Sequence, residues 1–345
     1  MEKLKILVPT SGLDHITRET IAFINGTRDM DIVIAGPGEG DRGGIEAPVI
    51  KSKISPSAIR AYRTVVKNND VNLTFSISTS ALSNMLLATI GLKVKNIGYR
   101  GTQAKVRKSD PFNWLALLNP RVSHVVCETP DIEETLSAQI GADKVSGMPK
   151  PYELSWAEGA LHNPAGLPVV APGTTRLIYI GISKGRPHKG LKYLLEAMTL
   201  LKARNVALTV VGEADSSDMK NAPANVTFLG NRPDALNYIP GHDIFVLPSL
   251  RDASPRVLRE AQACGVPCIV SDIPGARSLI ENGTTGILVE PANAQALADA
   301  IDGLVADSDK LLYLASNTKE YIAKNYSMDR YADYLYRTFL KVAQK

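Results

Sequence analysis

Two carboxylates bracket the start of a predicted helix in the stretch SLRDASPRVLREAQACGVPCIVSD, residues 249–272. Asp252 precedes the helix, and Glu260 lies eight positions later, one to two turns inside it. A helix start offers free N–H groups and the positive end of the helix dipole, and both attract phosphate. A carboxylate instead accepts hydrogen bonds from hydroxyls, such as those of a sugar. The pattern therefore suits a ligand with a diphosphate between two polyol rings, each held by one carboxylate.

The same residues also have a purely structural interpretation. Asp252 could cap the helix, and Glu260 could form an ion pair with Arg256 or Arg259 along it. Pro255 fits the first helical turn under either interpretation, because its missing N–H is no loss there. The spacing alone leaves both interpretations open.

The segment GISKGRPHKG, residues 181–190, concentrates basic side chains in a glycine-containing loop after a predicted strand. Its basic residues are Lys184, Arg186, His188 and Lys189. Beside a diphosphate, such a cluster would neutralise the charge that grows on a leaving group. The alternative is a solvated basic loop with no ligand.

Other candidates have less specific patterns. Arg232 could lie near a nucleobase, mainly through its backbone, and His15 near Gly12 could face an acceptor or serve a loop or capping role. Asp29 and Asp31 form an Asp-x-Asp pattern, but they precede a strand, whereas an acid pair that binds a metal should follow one. We therefore expect no metal.

The three cysteines, Cys127, Cys264 and Cys268, are too few and too scattered for a disulfide framework, which favours a reducing compartment. We expect them to be small core residues rather than metal ligands. The opening MEKLKILVPTSG is typical of a strand rather than a signal peptide, and the longest uncharged run, residues 71–92, is typical of a strand and a helix. A cytoplasmic protein is expected.

Short apolar runs alternate with helical stretches along most of the chain, which predicts an α/β fold with two Rossmann-like, doubly wound parallel sheets. A proline- and glycine-rich stretch over residues 148–175 is interpreted as the linker. We assign residues 1–165 to an N-terminal domain and 166–327 to a C-terminal domain, facing each other across a cleft. The amphipathic helix of residues 328–345 is expected to pack back on the first domain.

Basic residues are concentrated in one part of the first domain. The net charge of the chain is only +4, but residues 51–110 hold eleven Lys and Arg against two Asp. This excess gives no argument for nucleic acid. It suits an acidic glycan, a lipid-linked carrier or an anionic membrane surface, or it is simply a solvated face.

The second half resembles the nucleotide-binding domain of retaining glycosyltransferases of the GT-B architecture, family 4. The first similar element is the Lys189-Gly190 pair after the first strand of this half. The second is an acid separated by seven residues from a Glu, with Pro three positions after the acid, and Asp252, Pro255 and Glu260 match it. GARSLIENGTTGILVEP fits the family's next segment. The resemblance covers roughly residues 174–310, and the first half matches more loosely, in GYRGT and DPFNWLALLNPRVSHVVCET.

The resemblance implies roles for individual residues. Glu260 would hold the nucleotide ribose, Asp252 the hydroxyls of the donor sugar, and Lys189, with Lys184 or Arg186, the diphosphate. Asp252, Lys189 and Arg186 are thus the catalytic candidates. The donor-binding set, with Arg232 added, is Gly12, Lys184, Arg186, Lys189, Arg232, Asp252, Ser254, Pro255, Arg256, Val257 and Glu260.

The chain departs from the family pattern at three places. The family's Arg upstream of Lys189 is not in clean register here, since Lys184 and Arg186 both compete for its role. The first acid is usually Glu followed by Gly, and here it is Asp252-Ala253. Arg100 stands where many relatives have His, so Arg100 and His15 are the acceptor-side candidates. Because the side chain of Asp252 is shorter than that of Glu, it reaches less far, and this affects which donor sugar is accepted.

The resemblance implies transfer of a sugar from a nucleotide-diphosphate sugar to a hydroxyl, with retained anomeric configuration and with neither metal nor cofactor. The acceptor would be a glycan or a lipid-linked molecule of polysaccharide, lipopolysaccharide or glycolipid synthesis, and the enzyme could contact the inner face of the cell membrane. The alternatives are a nucleotide-sugar epimerase of the same fold and a non-catalytic nucleotide-sugar-binding protein.

Overall fold

The computed structural model describes residues 3–344, which form two compact units. The first unit contains residues up to Pro151 and from Met328 onward, and the second contains Tyr152–Ser327. Three terminal residues lie outside the described range, namely Met1 and Glu2 of the predicted first strand segment and Lys345 of the predicted last helix.

The first unit is built on a seven-stranded sheet with helices between its strands. Its elements up to Pro151 are β1 (Leu4–Pro9), α1 (His15–Thr27), β2 (Met30–Gly36), β3 (Ile45–Glu46), α2 (Pro56–Asn68), β4 (Leu73–Ser76), α3 (Thr79–Ala88), β5 (Lys95–Arg100), α4 (Pro111–Trp114), β6 (Val122–Cys127), α5 (Pro130–Ile140) and β7 (Val145–Gly147).

The second unit is built on a six-stranded sheet. Its elements are α6 (Ser155–His162), β8 (Thr175–Ile180), α7 (Leu191–Leu200), β9 (Val206–Val211), α8 (Ser216–Lys220), β10 (Val226–Gly230), β11 (Ile244–Leu247), α9 (Arg256–Ala263), β12 (Cys268–Ser271), α10 (Pro274–Arg277), β13 (Ile287–Val289), α11 (Ala294–Ala306) and α12 (Ser308–Asn325). Short 3₁₀ turns include Pro187–Lys189.

The chain returns to the first unit through its last helix, α13 (Met328–Ala343). Tyr331, Leu335 and Phe339 of α13 are buried in the core that β1, β4, β5 and α1 share. Phe339 meets Phe75 edge to face, with ring centroids 5.2 Å apart. This helix therefore completes the hydrophobic core of the first unit, although more than half of the chain separates it from the rest of that core.

All pairings between named strands are parallel, in the orders β3-β2-β1-β4-β5-β6-β7 and β10-β9-β8-β11-β12-β13. The predicted α/β fold with two doubly wound parallel sheets is confirmed. In each sheet the strand order reverses once, between β1 and β4 and between β8 and β11. Loops at the carboxyl ends of two such strands diverge, and the crevice between them is where open α/β sheets bind ligands.

The segment predicted as a linker differs from that prediction over part of its length. Residues 155–162 form α6, whose Ala157 and Ala160 are buried, and Tyr152 just before it is also buried. Residues 152–165, assigned above to the first domain, pack with the second unit. The prolines of this stretch flank the helix and do not interrupt it, so proline content alone misrepresented the segment.

A buried histidine ties two elements of the second unit together. The ring of His242 contacts the Tyr238 carbonyl at 2.6 Å and the Thr209 hydroxyl at 2.9 Å. Burial is the main reason that the pKa of His242 falls to about 4. Folding therefore favours the neutral ring.

We expect acid to destabilise the chain through His242. The unfolded state takes up a proton near pH 6.5 and the folded state only near pH 4, so the contribution is fully present at neutral pH and is lost as the pH falls between these values. The loss should be about 3 kcal/mol in the free energy of unfolding. Urea unfolding of the wild type and of His242→Gln, at neutral pH and near pH 4, measures this loss of unfolding free energy. An equally steep acid loss in both proteins would contradict the assignment.

Candidate functional site

Most predicted site residues of the second unit lie on the two loops that follow β8 and β11 or in helix α9, which follows the second loop. Strands β8 and β11 are the neighbours at which the strand order reverses. The first loop, residues 181–190, carries the basic cluster, and the second, residues 248–255, carries Asp252. These side chains are therefore gathered at the place where a doubly wound sheet binds ligands.

The two loops are held against each other by backbone contacts. The N–H of Leu250 donates to the carbonyl of His188 at 2.8 Å. Gly190 has φ +74°, and a Cβ placed on it would overlap the carbonyl of Pro248. Only glycine combines this left-handed backbone with such a close approach. The position of Lys189 is thus fixed relative to the loop that carries Asp252.

Lys189 and Asp252 form an ion pair, with 2.7 Å between Nζ and Oδ2. The two side chains are 24% and 19% exposed. The predicted structural alternative, in which Asp252 caps α9, is not what the structure shows, since α9 has no side-chain cap. The carboxylate and the ammonium are instead adjacent, so that one ligand could contact both.

Glu260 is more enclosed. Its side chain is 15% exposed, and Oε1 lies 2.9 Å from Nε of Arg256, the i,i+4 pair foreseen as the structural alternative. Burial raises the pKa of Glu260, and the neighbouring Arg256 opposes that rise. Further hydrogen-bond donors, such as sugar hydroxyls, would stabilise the charged form of a carboxylate in this setting.

The start of α9 lies beside Asp252. Pro255 is the N-cap rather than a residue of the first helical turn, so the predicted helix start was one residue early. The N–H groups of Arg256 and Val257 belong to the first turn, where a helix has no internal acceptors for them. Ser254 Oγ is buried, with no hydrogen-bond partner among the described residues. These groups can donate to an anion or a polar ligand.

The other predicted basic residues are arranged differently. Nζ of Lys184 lies 3.7 Å from Oε2 of Glu213, and the side chain of Arg186 is exposed. Burial, followed by the cations Lys189, Arg251 and Arg186, lowers the pKa of His188. Lys189 is therefore the cation of this cluster most closely joined to Asp252.

Arg232 follows β10, which lies two strands away from β8 in the same sheet. Its guanidinium carbon is 6.0 Å from the centroid of the Tyr238 ring. This contact gives the side chain a structural role, and a nucleobase contact stays a prediction.

Two residues that shape the site were not among the sequence candidates. Asp215 accepts the Gly185 N–H at 3.2 Å and so anchors the basic loop. A Cβ on Gly275 would overlap the carbonyls of Asp252 and Ala253, so α10 packs directly beneath that loop. A lone acid and the glycine of IPGAR carry no sequence signal for such contacts.

The candidates in the first unit lie near the carboxyl ends of its strands. Gly12 is in the loop after β1, and its N–H donates to Thr10 Oγ1 at 2.8 Å. His15 is the first residue of α1, which Asp14 caps, and lies 3.7 Å from Glu19. Arg100 ends β5 and donates to the Ala104 carbonyl, and burial lowers its pKa. All three residues belong to the first unit, and their proposed contacts with a ligand stay predictions.

Within residues 3–344 no group of three or more His, Cys, Asp and Glu side chains could hold a metal ion. The three cysteines are free, and Cys127 and Cys268 are buried, as expected for core residues. Burial raises the pKa of the Cys264 thiol to about 12. None of the helices in this range is both long and apolar enough to cross a bilayer.

Residues 174–307 match the family described as glycosyl transferases group 1. UDP-Gal:alpha-D-GlcNAc-diphosphoundecaprenol alpha-1,3-galactosyltransferase of Escherichia coli is 26% identical over 300 residues, which are 80% of this chain and 77% of that protein. N,N'-diacetylbacillosaminyl-diphospho-undecaprenol alpha-1,3-N-acetylgalactosaminyltransferase of Campylobacter jejuni is 34% identical over 148 residues, which are 41% of this chain and 39% of that protein.

Solved structures share the fold over nearly the whole chain. A glycosyltransferase from Rickettsia africae superposes with a TM-score of 0.80 at 19% identity, covering 99% of both chains. HepE of Anabaena, solved in complex with UDP, superposes with a TM-score of 0.76 at 17% identity, covering 98% of this chain and 100% of that one.

Proposed function

Because the chain belongs to the group 1 glycosyltransferases of the GT-B, family 4 type, we propose that it transfers a sugar from a nucleotide-diphosphate sugar to a hydroxyl acceptor, with retention of the anomeric configuration. The observation that carries the proposal is the Lys189–Asp252 pair beside the start of α9, at the strand-order reversal of the second sheet. It combines a cation for phosphate with a carboxylate for hydroxyls.

The donor would lie across the start of α9. We place its diphosphate against Lys189 and the first N–H groups of α9, its sugar hydroxyls on Asp252 and its ribose on Glu260. A nucleotide diphosphate that reaches Lys189 competes with Asp252 for the ammonium, so donor binding would exchange the 2.7 Å ion pair for contacts with the ligand. The carboxylate is then available to the sugar.

The chemical step proposed here needs no metal and no cofactor. As the bond from the anomeric carbon to the diphosphate breaks, negative charge grows on the leaving phosphate. Lys189, with Arg186 or Lys184 nearby in the same loop, and the positive end of α9 stabilise that charge. The leaving phosphate can accept the proton of the attacking hydroxyl on the same face, which gives retention without a separate base.

The proposed acceptor is a glycan or a lipid-linked sugar. The names of the Escherichia coli and Campylobacter jejuni relatives describe acceptors on diphosphoundecaprenol. The basic excess of residues 51–110 suits an anionic carrier of this kind. His15 and Arg100 are the side chains of the first unit proposed to face the acceptor. This role would place the enzyme in glycolipid or polysaccharide synthesis, in the cytoplasm and peripheral to the membrane.

Two measurements test the function. A thermal-shift screen of UDP, GDP, ADP and their sugars should raise the unfolding temperature with one base only. Incubation of the selected donor with lipid-diphosphate-linked sugars should yield a conjugate with the same anomeric configuration as the donor, in the presence of EDTA. Release of free sugar alone, formation of an epimer, or loss of activity with EDTA would each contradict the proposal.

Glu260 should control nucleotide affinity. The variant Glu260→Gln is expected to weaken binding of the selected nucleoside diphosphate about 10- to 100-fold, because a hydrogen bond to a charged group is lost from a largely buried site. In the wild type the affinity should fall as the pH drops through the raised pKa of Glu260, at a higher pH than an ordinary glutamate would give. Calorimetric titrations over this range measure both effects. A matching pH dependence in Glu260→Gln would assign the titration to another group.

A further inference from the structure

An exposed patch of the first unit combines aromatic and basic side chains. Phe112 and Trp114 of α4 are 53% and 46% exposed, whereas Ala116 and Leu117, two and three residues after Trp114, are buried. The short helix is therefore anchored beneath while its two aromatic rings remain accessible. Isolated exposed apolar residues are ordinary, but two large aromatic rings on one turn beside a cluster of cations are not.

Specific contacts hold the backbone of Arg107 and Lys108, and the side chain of Lys53, beside this helix. Trp114 Nε1 donates to the Lys108 carbonyl at 2.8 Å, and Asn113 Nδ2 donates to the Arg107 carbonyl at 3.0 Å. Lys53, from a loop remote in sequence, places Nζ 4.8 Å from the centroid of Phe112. Both side chains of the pair Arg107 and Lys108 are exposed. The loop after β5 and the loop before α2 thus meet at the aromatic residues.

The local charge is predominantly positive. Lys105 is also exposed in this loop, and the nearby acid Asp110 is engaged as the cap of α4, accepting the Phe112 N–H at 2.9 Å. Ile54, next to Lys53, is 48% exposed. Aromatic rings partition to the interfacial zone of a bilayer, and lysine and arginine beside them are attracted by anionic head groups. An acidic polysaccharide would use the cations but gains nothing from a bare isoleucine.

We infer that Lys53, Lys105, Arg107, Lys108, Phe112 and Trp114 form a docking surface for an anionic lipid bilayer. This surface, the basic-aromatic patch, rests on the proposed function insofar as a lipid-linked acceptor resides in such a bilayer. It would hold the first unit against the membrane without any spanning helix. Charge and insertion act together, since neither a few cations nor two rings alone give lasting attachment.

Flotation with large vesicles tests the patch. The wild-type chain should bind vesicles of phosphatidylcholine with phosphatidylglycerol, bind phosphatidylcholine alone weakly, and dissociate as salt is raised. The triple variant Lys105→Glu, Arg107→Glu and Lys108→Glu should reduce the partition coefficient at least about tenfold. The double variant Phe112→Ser and Trp114→Ser should also weaken binding and leave less bound protein at high salt. Thermal unfolding verifies that each variant is folded.

A matched control reverses three exposed lysines at the opposite, amino ends of the strands of the same sheet, namely Lys3, Lys67 and Lys93. It changes the net charge equally and should bind like the wild type. Equal loss in the control, unchanged binding of the patch variants, or binding to an acidic polysaccharide but not to vesicles would overturn the inference. Transfer to a water-soluble acceptor analogue by the wild type is an independent test of the proposed function. Its absence from the wild type would contradict the proposed function while leaving the vesicle result intact.

Discussion

Asp252→Ala should lower the rate of sugar transfer at least about 100-fold while nucleoside diphosphate binding survives. The carboxylate is proposed to hold the donor sugar, not the nucleotide, so its removal leaves the sugar unoriented during transfer. It also frees Lys189, whose Nζ lies 2.7 Å from Asp252 Oδ2, and this should leave diphosphate affinity unchanged or increased. Single-turnover transfer and calorimetric binding of the diphosphate measure the two quantities.

Two further variants make the Asp252 experiment decisive. Asp252→Asn keeps the shape and loses the charge, and it should resemble the alanine variant if the charge matters. Asp309→Ala, an exposed acid in the first turn of α12, removes one charge from the same unit and should transfer normally. Full and equal activity of Asp252→Ala and Glu260→Ala would show that neither carboxylate grips the donor.

Gly190→Ala should destabilise the second unit by about 3–5 kcal/mol and abolish donor binding. Two costs combine at this position. A non-glycine residue in the left-handed region costs roughly 1–2 kcal/mol. The added methyl group would also overlap the Pro248 carbonyl, which cannot move aside as a flexible side chain could. The loops after β8 and β11 must separate, and the Lys189–Asp252 pair separates with them.

Gly185→Ala is the matched control for Gly190→Ala. Gly185 lies in the same loop with φ +64°, but a Cβ there meets nothing within 4 Å. It should therefore show the conformational cost alone, roughly 1–2 kcal/mol, and retain donor binding. Differential scanning calorimetry with and without nucleotide compares them. Equal behaviour of the two variants would mean that the contact with Pro248 has no role in positioning the site.

The central strands could be predicted from the sequence because they are buried on both faces and appear as continuous apolar runs. The edge strands β3 and β7 have two and three residues, which is too few for a periodic pattern to indicate them. The prolines that flank α6 made its sequence resemble a linker. Its burial of Ala157 and Ala160 depends on the fold around it, which composition does not show.

The site could be predicted in its residue types but not in its pairings. The i,i+4 contact of Arg256 with Glu260 follows from helix geometry and was foreseen as an alternative. The partner of Asp252 is Lys189, from a different loop, and only the adjacency of β8 and β11 brings them together. Strand order is a long-range property, so no local spacing contains it.

The two places where the chain crosses between units lie side by side. Tyr152 and Tyr326 stand at the two ends of the second unit, and the N–H of Tyr152 donates to the Tyr326 carbonyl at 2.8 Å. The second unit is in effect an insertion within the first, with its own ends fastened together. If the second unit were cut out, its two ends would still be joined by this hydrogen bond. Removal of α13, in contrast, would take core side chains away from the first unit. The hydrophobic core of the first unit is therefore complete only once α13 has been synthesised.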